Sequence, residues 1–99
     1  MQITWTHYAT FTLKGHYEYI KKAKGVKSAR NWRKKIFDRV EYLKPFPRHG
    51  RQETSVLHPN QEFRSILEGN YRIIYKIEDQ EVYITHVFNT RQSPNKLIF

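Results

Sequence analysis

The sequence predicts an α+β domain: an N-terminal strand, an αα-hairpin, then an antiparallel meander of three to four strands. Three observations carry this. Apolar residues recur at helical spacing between residues 7 and 44, and they alternate with period two after residue 62. Between these stretches stand turn-forming residues: Gly25, the Pro45–Gly50 junction, Gly69-Asn70 and Asp79-Gln80. Helices grouped before strands, rather than alternating with them, argue for helices gathered on one face of an antiparallel sheet. Ninety-nine residues make one domain, 1–99, with room for one modest core.

Residues 1–5 are β-branched or aromatic at Ile3, Thr4 and Trp5 and read as a short strand. Thr6 is placed to cap the first helix, whose stripe is Ala9, Leu13, Tyr17 and Ile20. Gly25 ends that helix, with Lys21, Lys22 and Lys24 in the last turn where the dipole favours cations. Ser28 is the expected cap of the second helix. Ala29, Trp32, Ile36, Val40 and Leu43 form its stripe, Phe37 widens it, and Pro45 and Pro47 bar its continuation. A strand is expected over Thr54–Leu57 and a turn over His58–Gln61. Strands follow over Phe63–Leu67, Tyr71–Ile77 and Val82–Phe88, and a polar tail runs from Asn89 to the apolar Leu97-Ile98-Phe99.

Period-two alternation assigns faces. With Asp79 and Gln80 as loop residues, Glu78 faces Glu81. One face then collects Tyr71, Ile73, Tyr75, Ile77, Val82, Ile84, His86 and Phe88, which is apolar enough to lie under the helices. The other collects Arg72, Ile74, Lys76, Tyr83, Thr85, Val87 and Asn89 and is read as an open face. The preceding hairpin has two possible registers. A two-residue turn sets Arg72 opposite Leu67; a three-residue loop sets it opposite Ile66, with Arg64 then on the same face.

Charge is the strongest global signal. The net charge is +9, and all of it lies in the first half: residues 1–50 carry 12 basic and 3 acidic side chains, residues 51–99 six of each. Lys21, Lys22, Lys24, Lys27, Arg30, Arg33, Lys34, Lys35 and Arg39 stand against Asp38 alone. Such a field attracts polyanions. There is no Cys, which removes disulfides, Cys-ligated zinc and a thiol nucleophile. His7, His16, His49, His58 and His86 have no metal-ligand spacing on a helix, so no metal site or cofactor is expected. His86 reads as a satisfied core histidine. No apolar run is long enough to span a bilayer, and nothing in Met1–Trp5 resembles a secretion signal, so no membrane association and a cytoplasmic location are expected.

Catalytic motifs are sparse: the sequence has neither a nucleophile elbow nor a glycine-rich phosphate loop. What stands out is arginine among strand aromatics: Arg64, Arg72 and Arg91, beside Tyr71, Tyr75 and Tyr83. Guanidinium groups fork onto phosphates and stack on bases, so these three are candidate catalytic residues if the protein is a metal-independent ribonuclease. A general acid and base are also required. From Thr90 onward, however, the chain has no Tyr, His, Glu or Asp.

Three stretches, YLKPFPRHGR (42–51), FRSILEGNYRIIYKIEDQEVYITHVF (63–88) and NTRQSP (89–94), together resemble the RelE/ParE superfamily, the toxin halves of bacterial toxin–antitoxin modules. The resemblance implies a compact sheet with a helical hairpin, a role in plasmid stabilisation or growth arrest, and a cognate antitoxin in a hetero-oligomer. An acidic binding segment in that antitoxin would suit the charge of this chain. RelE-like members cut mRNA on the ribosome with basic sheet residues and a C-terminal tyrosine. Arg72 matches their strand arginine in "YR", Arg91 lies near their C-terminal arginine and Arg64 near a basic position of the preceding strand. Where the tyrosine should follow stands Asn95-Lys96-Leu97. ParE-like members resemble inhibitors of DNA gyrase, which bind rather than cut. The long basic hairpin, the PFPRHGR junction and the missing tyrosine favour this side, with Arg30, Lys34, Lys35, Arg39 and Tyr83 as the expected binding residues. The chain is therefore expected to be a ParE-like gyrase inhibitor, with a RelE-like mRNA interferase and a non-catalytic nucleic-acid-binding module as the alternatives.

Overall fold

The computed structural model describes residues 1–93 and 97–99. Strand β1 (Gln2–Trp5) leads into helix α1 (His7–Lys24) and helix α2 (Val26–Glu41); strands β2 (Arg51–Glu53), β3 (Glu62–Glu68), β4 (Tyr71–Glu78) and β5 (Glu81–Asn89) follow. The sheet order is β1-β5-β4-β3-β2. The four later strands form the expected antiparallel meander, and β1 adds to its far edge parallel to β5.

Thr6 caps α1 as expected, its hydroxyl accepting from the Ala9 N–H at 3.2 Å while donating to the Ile84 carbonyl at 2.9 Å. Gly25, at φ 94°, is both the C-cap of α1 and the N-cap of α2. Ser28 therefore lies inside α2 rather than at its start, because one left-handed glycine suffices to reverse the chain. The helices cover one face of the sheet. Ala9 and Leu13 from α1, and Ile36, Val40 and Leu43 at the end of and just beyond α2, bury against Ile66, Tyr71, Ile73, Tyr75, Ile77, Val82, Ile84 and Val87. Each fully buried aliphatic side chain contributes about 1.5–3 kcal/mol. Trp32 packs against this core half-buried, and Phe37 meets Trp5 edge-on at 5.4 Å between ring centroids.

Gly50 shows why the junction after α2 has a glycine. A Cβ there would lie 2.6 Å from Tyr75 Oη and 2.7 Å from the Ser65 carbonyl. In that close approach Tyr75 Oη donates to the Pro47 carbonyl at 2.7 Å and accepts from the Gly50 N–H at 2.9 Å.

Two strand expectations change. The segment 54–57 is not a strand; the pairing strand is Arg51–Glu53, and Ser55 is buried with its hydroxyl accepting from the His58 N–H in the loop that follows. The β4/β5 register begins as expected, with Glu78 opposite Glu81 and Tyr75 opposite Ile84, on a two-residue turn where Asp79 and Gln80 both have positive φ. Between Ile74 and Tyr75 the register shifts. Thr85 is left unpaired there, its hydroxyl donating to the Ile74 carbonyl at 3.1 Å. An extra residue reverses the alternation beyond it. Val87, expected on the open face, joins the core. His86 and Phe88, expected in the core, move out and pair with Ile74 and Arg72.

The face away from the helices is not bare. Ile74 and Phe63 are buried on it, and the Phe99 ring lies 5.4 Å from Phe63 and 5.7 Å from His86. The Val56 and Leu57 N–H groups donate to the Phe99 carbonyl at 2.7 and 3.1 Å. Phe99 thus closes a second, smaller apolar layer.

Candidate interaction surface

Strand pairing decides what the arginines can do. Gly69, at φ 58°, makes a two-residue turn with Asn70, so Arg72 faces Leu67 and Arg64 faces Tyr75. Arg72 and Arg64 consequently lie on opposite faces of the sheet.

Arg72 lies on the face away from the helices, its side chain 23% exposed and ion-paired with Glu53. Glu53 also accepts from Ser65 Oγ at 2.5 Å and from Arg51 at 3.2 Å. Burial pushes the Glu53 carboxyl up, but the hydrogen bonds from Ser65, Arg72 and Arg51 outweigh it and hold the group below the usual carboxylate range. Arg64 lies on the helix side. It donates to Glu62 at 2.9 Å and to the Gly50 and Arg48 carbonyls at 2.8 and 3.3 Å. Arg48 grips the same Glu62 through two bonds of 3.0 Å. Burial again raises Glu62, and Arg64 and Arg48 together bring it below its ordinary value. Arg64 therefore pins the Pro47–Gly50 junction to the sheet. Arg91 is exposed in the turn after β5, its N–H bonded to Asn89 Oδ1 and its charge within electrostatic reach of the Tyr71 hydroxyl. The three arginines do not converge. Pro94, Asn95 and Lys96, including positions where the resemblance expects a tyrosine, lie outside the described residues.

The histidines near these groups are half-buried. His86 lies edge-on to Tyr8 at 5.3 Å, with Nδ1 2.9 Å from the Thr85 hydroxyl; burial lowers its pKa and a bond to the Ile98 backbone partly opposes this. His16 Nε2 meets the Val87 carbonyl at 2.8 Å, and burial lowers its pKa too. No group of three or more His, Asp or Glu gathers as for a metal among the described residues.

The basic residues of α2 divide by partner. Lys34 pairs with Asp38 at 2.7 Å; Arg39 donates to the Leu67 carbonyl at 2.8 Å and approaches Glu68 at 3.9 Å. Arg33 lies over the Tyr17 ring at 4.5 Å. Arg30 and Lys35 are exposed with no acidic partner among the described residues. Tyr83 is remote from these, on the face away from the helices, with the Lys76 ammonium 5.3 Å from its ring centroid.

Periodicity does not reveal two further features. A groove of about 330 Å³ runs between α1 and the end of β5, lined by Tyr8, Phe11, His16, His86 and Leu97 among others. Tyr42, Phe46 and His49 form an exposed aromatic group, with Tyr42 5.0 Å from each of the other rings. The first depends on how α1 meets the end of β5, the second on the loop that follows α2. No helix among the described residues is long and apolar enough to cross a membrane.

Comparison with known proteins fits this geometry. Residues 3–94 match the family described as the ParE toxin of the type II toxin–antitoxin system parDE. A search of curated proteins finds no match. Among solved structures, the chromosomal ParDE toxin–antitoxin system from P. aeruginosa aligns with a TM-score of 0.74 at 18% identity, over 90% of this chain and 95% of that one, which shows a shared fold.

Proposed function

The chain belongs to the ParE toxin family of type II toxin–antitoxin systems, and on that premise we propose that it arrests growth by binding DNA gyrase, without cutting RNA, and that a cognate antitoxin with an acidic binding segment neutralises it in the cytoplasm. One observation carries the choice of binding over cleavage. Arg64 and Arg72 point to opposite faces, and each is engaged by a glutamate. A phosphate clamp needs its cations on one side and uncommitted. A binding inhibitor needs only a complementary surface, and Arg30 and Lys35 are available for one, with Lys34 and Arg39 alongside. Tyr83 offers a second contact on the other face. The groove beside Tyr8 and Phe11 gives apolar side chains of an antitoxin segment a seat.

The test is a gyrase supercoiling reaction run with the purified chain, beside a translation extract in which message integrity is followed. Supercoiling should fail at near-stoichiometric toxin while the message stays intact. Folded Arg72→Ala should inhibit within about two-fold of the parent. Codon-phased message cleavage that disappears in Arg72→Ala would establish the mRNA interferase reading instead. Co-expression of the adjacent small open reading frame should restore growth.

A further inference from the structure

The hairpin tip carries charge that neither the fold nor the surface proposed above uses. Residues 21–27 contain four cations and no acidic side chain. Every residue from Lys21 to Lys27 is exposed, so the end of α1 and the start of α2 stand clear of the core. Lys21, Lys22, Lys24 and Lys27 have no ion-pair partner among the described residues. Lysines in the last turn of α1 are explained by its dipole. Lys27 is not: it lies in the first turn of α2, where the dipole is positive, the first turn has no acidic residue, and Gly25 supplies no side-chain cap. Like charges crowded against the wrong helix end are locally unfavourable, and such conflicts mark surfaces that serve a partner.

We propose that this tip, centred on Lys21, Lys22, Lys24 and Lys27, binds the phosphate backbone of duplex DNA, an activity separate from the inhibition of the toxin's target. Ammonium groups read charge density, and the DNA duplex presents one negative charge per about 1.7 Å. Single strands and the unpaired loops of RNA are held by stacking on rings, and duplex RNA by its shape and 2′-hydroxyls. Residues 21–31 contain no aromatic side chain, and the exposed Tyr19 lies within electrostatic reach of Tyr71 on the sheet side. An acidic peptide would need an apolar anchor, and between residues 21 and 35 the exposed large apolar side chains reduce to Val26.

Fluorescence anisotropy with the full-length chain and a labelled 20-base-pair DNA duplex tests this. Four neutralised phosphates predict a log–log salt slope near −3.6, so affinity should fall roughly a hundred-fold between 50 and 200 mM salt. Lys21→Gln/Lys22→Gln/Lys24→Gln/Lys27→Gln should lose at least about thirty-fold at 50 mM and flatten the slope, an estimate from the same counterion-release relation. Lys44→Gln/Arg51→Gln, away from the tip, should bind within about two-fold of the parent. Should the quadruple variant fail to fold, Lys22→Gln and Lys24→Gln singly, each lowering the slope by about 0.9, carry the same test. Unchanged affinity in the tip variants, tighter binding to duplex RNA, or equal binding to polyglutamate would overturn the proposal. Failure of gyrase inhibition would not, since the two activities are read in separate assays.

Discussion

At the scale of single residues, what matters is who partners each charge. Arg72 and Arg64 are strand arginines with similar sequence surroundings, yet one closes an ion pair with Glu53 beneath Ser65 and the other ties a loop to the sheet through Glu62, Gly50 and Arg48. The composition of strand and tail suggests a guanidinium cluster; Glu53 stands nineteen positions from Arg72 and Glu62 two from Arg64, and only folding joins the first pair. Gly50 is a comparable case. Its identity is plain in the sequence, but its reason is a contact with Tyr75, 25 residues on. Gly50→Ala should cost about 2 kcal/mol, within the usual range for overpacking a filled site. For a domain of this size that lowers the midpoint by roughly 8–16 °C in a thermal melt. An unchanged melt would show that the junction yields to the extra methyl.

At the scale of elements, both helices follow from spacing and punctuation. The stripe Ala29, Ile36, Val40 and Leu43 is buried as its period requires, and Trp32 sits half-buried between His16 and Tyr71. Its Nε1 is buried with no hydrogen-bond partner among the described residues. Trp32→Ala should therefore cost about 3 kcal/mol, the low end for a large aromatic. Trp32→Phe should cost under about 1 kcal/mol, because it keeps most of the ring contact and removes the orphan donor. Urea denaturation of the two variants measures the contrast; equal losses would mean the indole N–H is satisfied in solution. Strand β5 shows where spacing fails. Strict alternation puts His86 under the helices, but the unpaired Thr85 reverses every later side chain. A bulge is a property of two strands together, and nothing in the Val82–Phe88 composition announces it.

Across the whole molecule, stability should depend on pH in two stages. Burial holds His16 and His86 below their ordinary value, so the unfolded chain takes up protons first as pH falls below about 6.5, and the folded state loses stability from there down to the lowered native values. Glu53 and Glu62 are held below the ordinary glutamate value, so their contribution is complete above about 4.5 and is lost as pH falls through the depressed native values. Denaturation midpoints at pH 7.5, 5.5 and 4.0 should decline in that order. His16→Gln should shrink only the first step; a midpoint that is flat from 7.5 to 5.5 would show that neither imidazole is buried in the folded chain.

The sequence alone determined the element order, the helical hairpin, the Asp79-Gln80 turn and the basic first half, because these depend on local spacing, turn chemistry and charge count. It also carried the family resemblance. Tertiary structure decided the rest: the parallel docking of β1 on β5, the choice between two hairpin registers, the bulge at Thr85, the covering of Ile74's face by Phe99, and the separation of Arg64 from Arg72. Each is a pairing between residues far apart in the chain. Such pairings are fixed by which faces must be buried together, and a linear pattern records the faces without recording their neighbours.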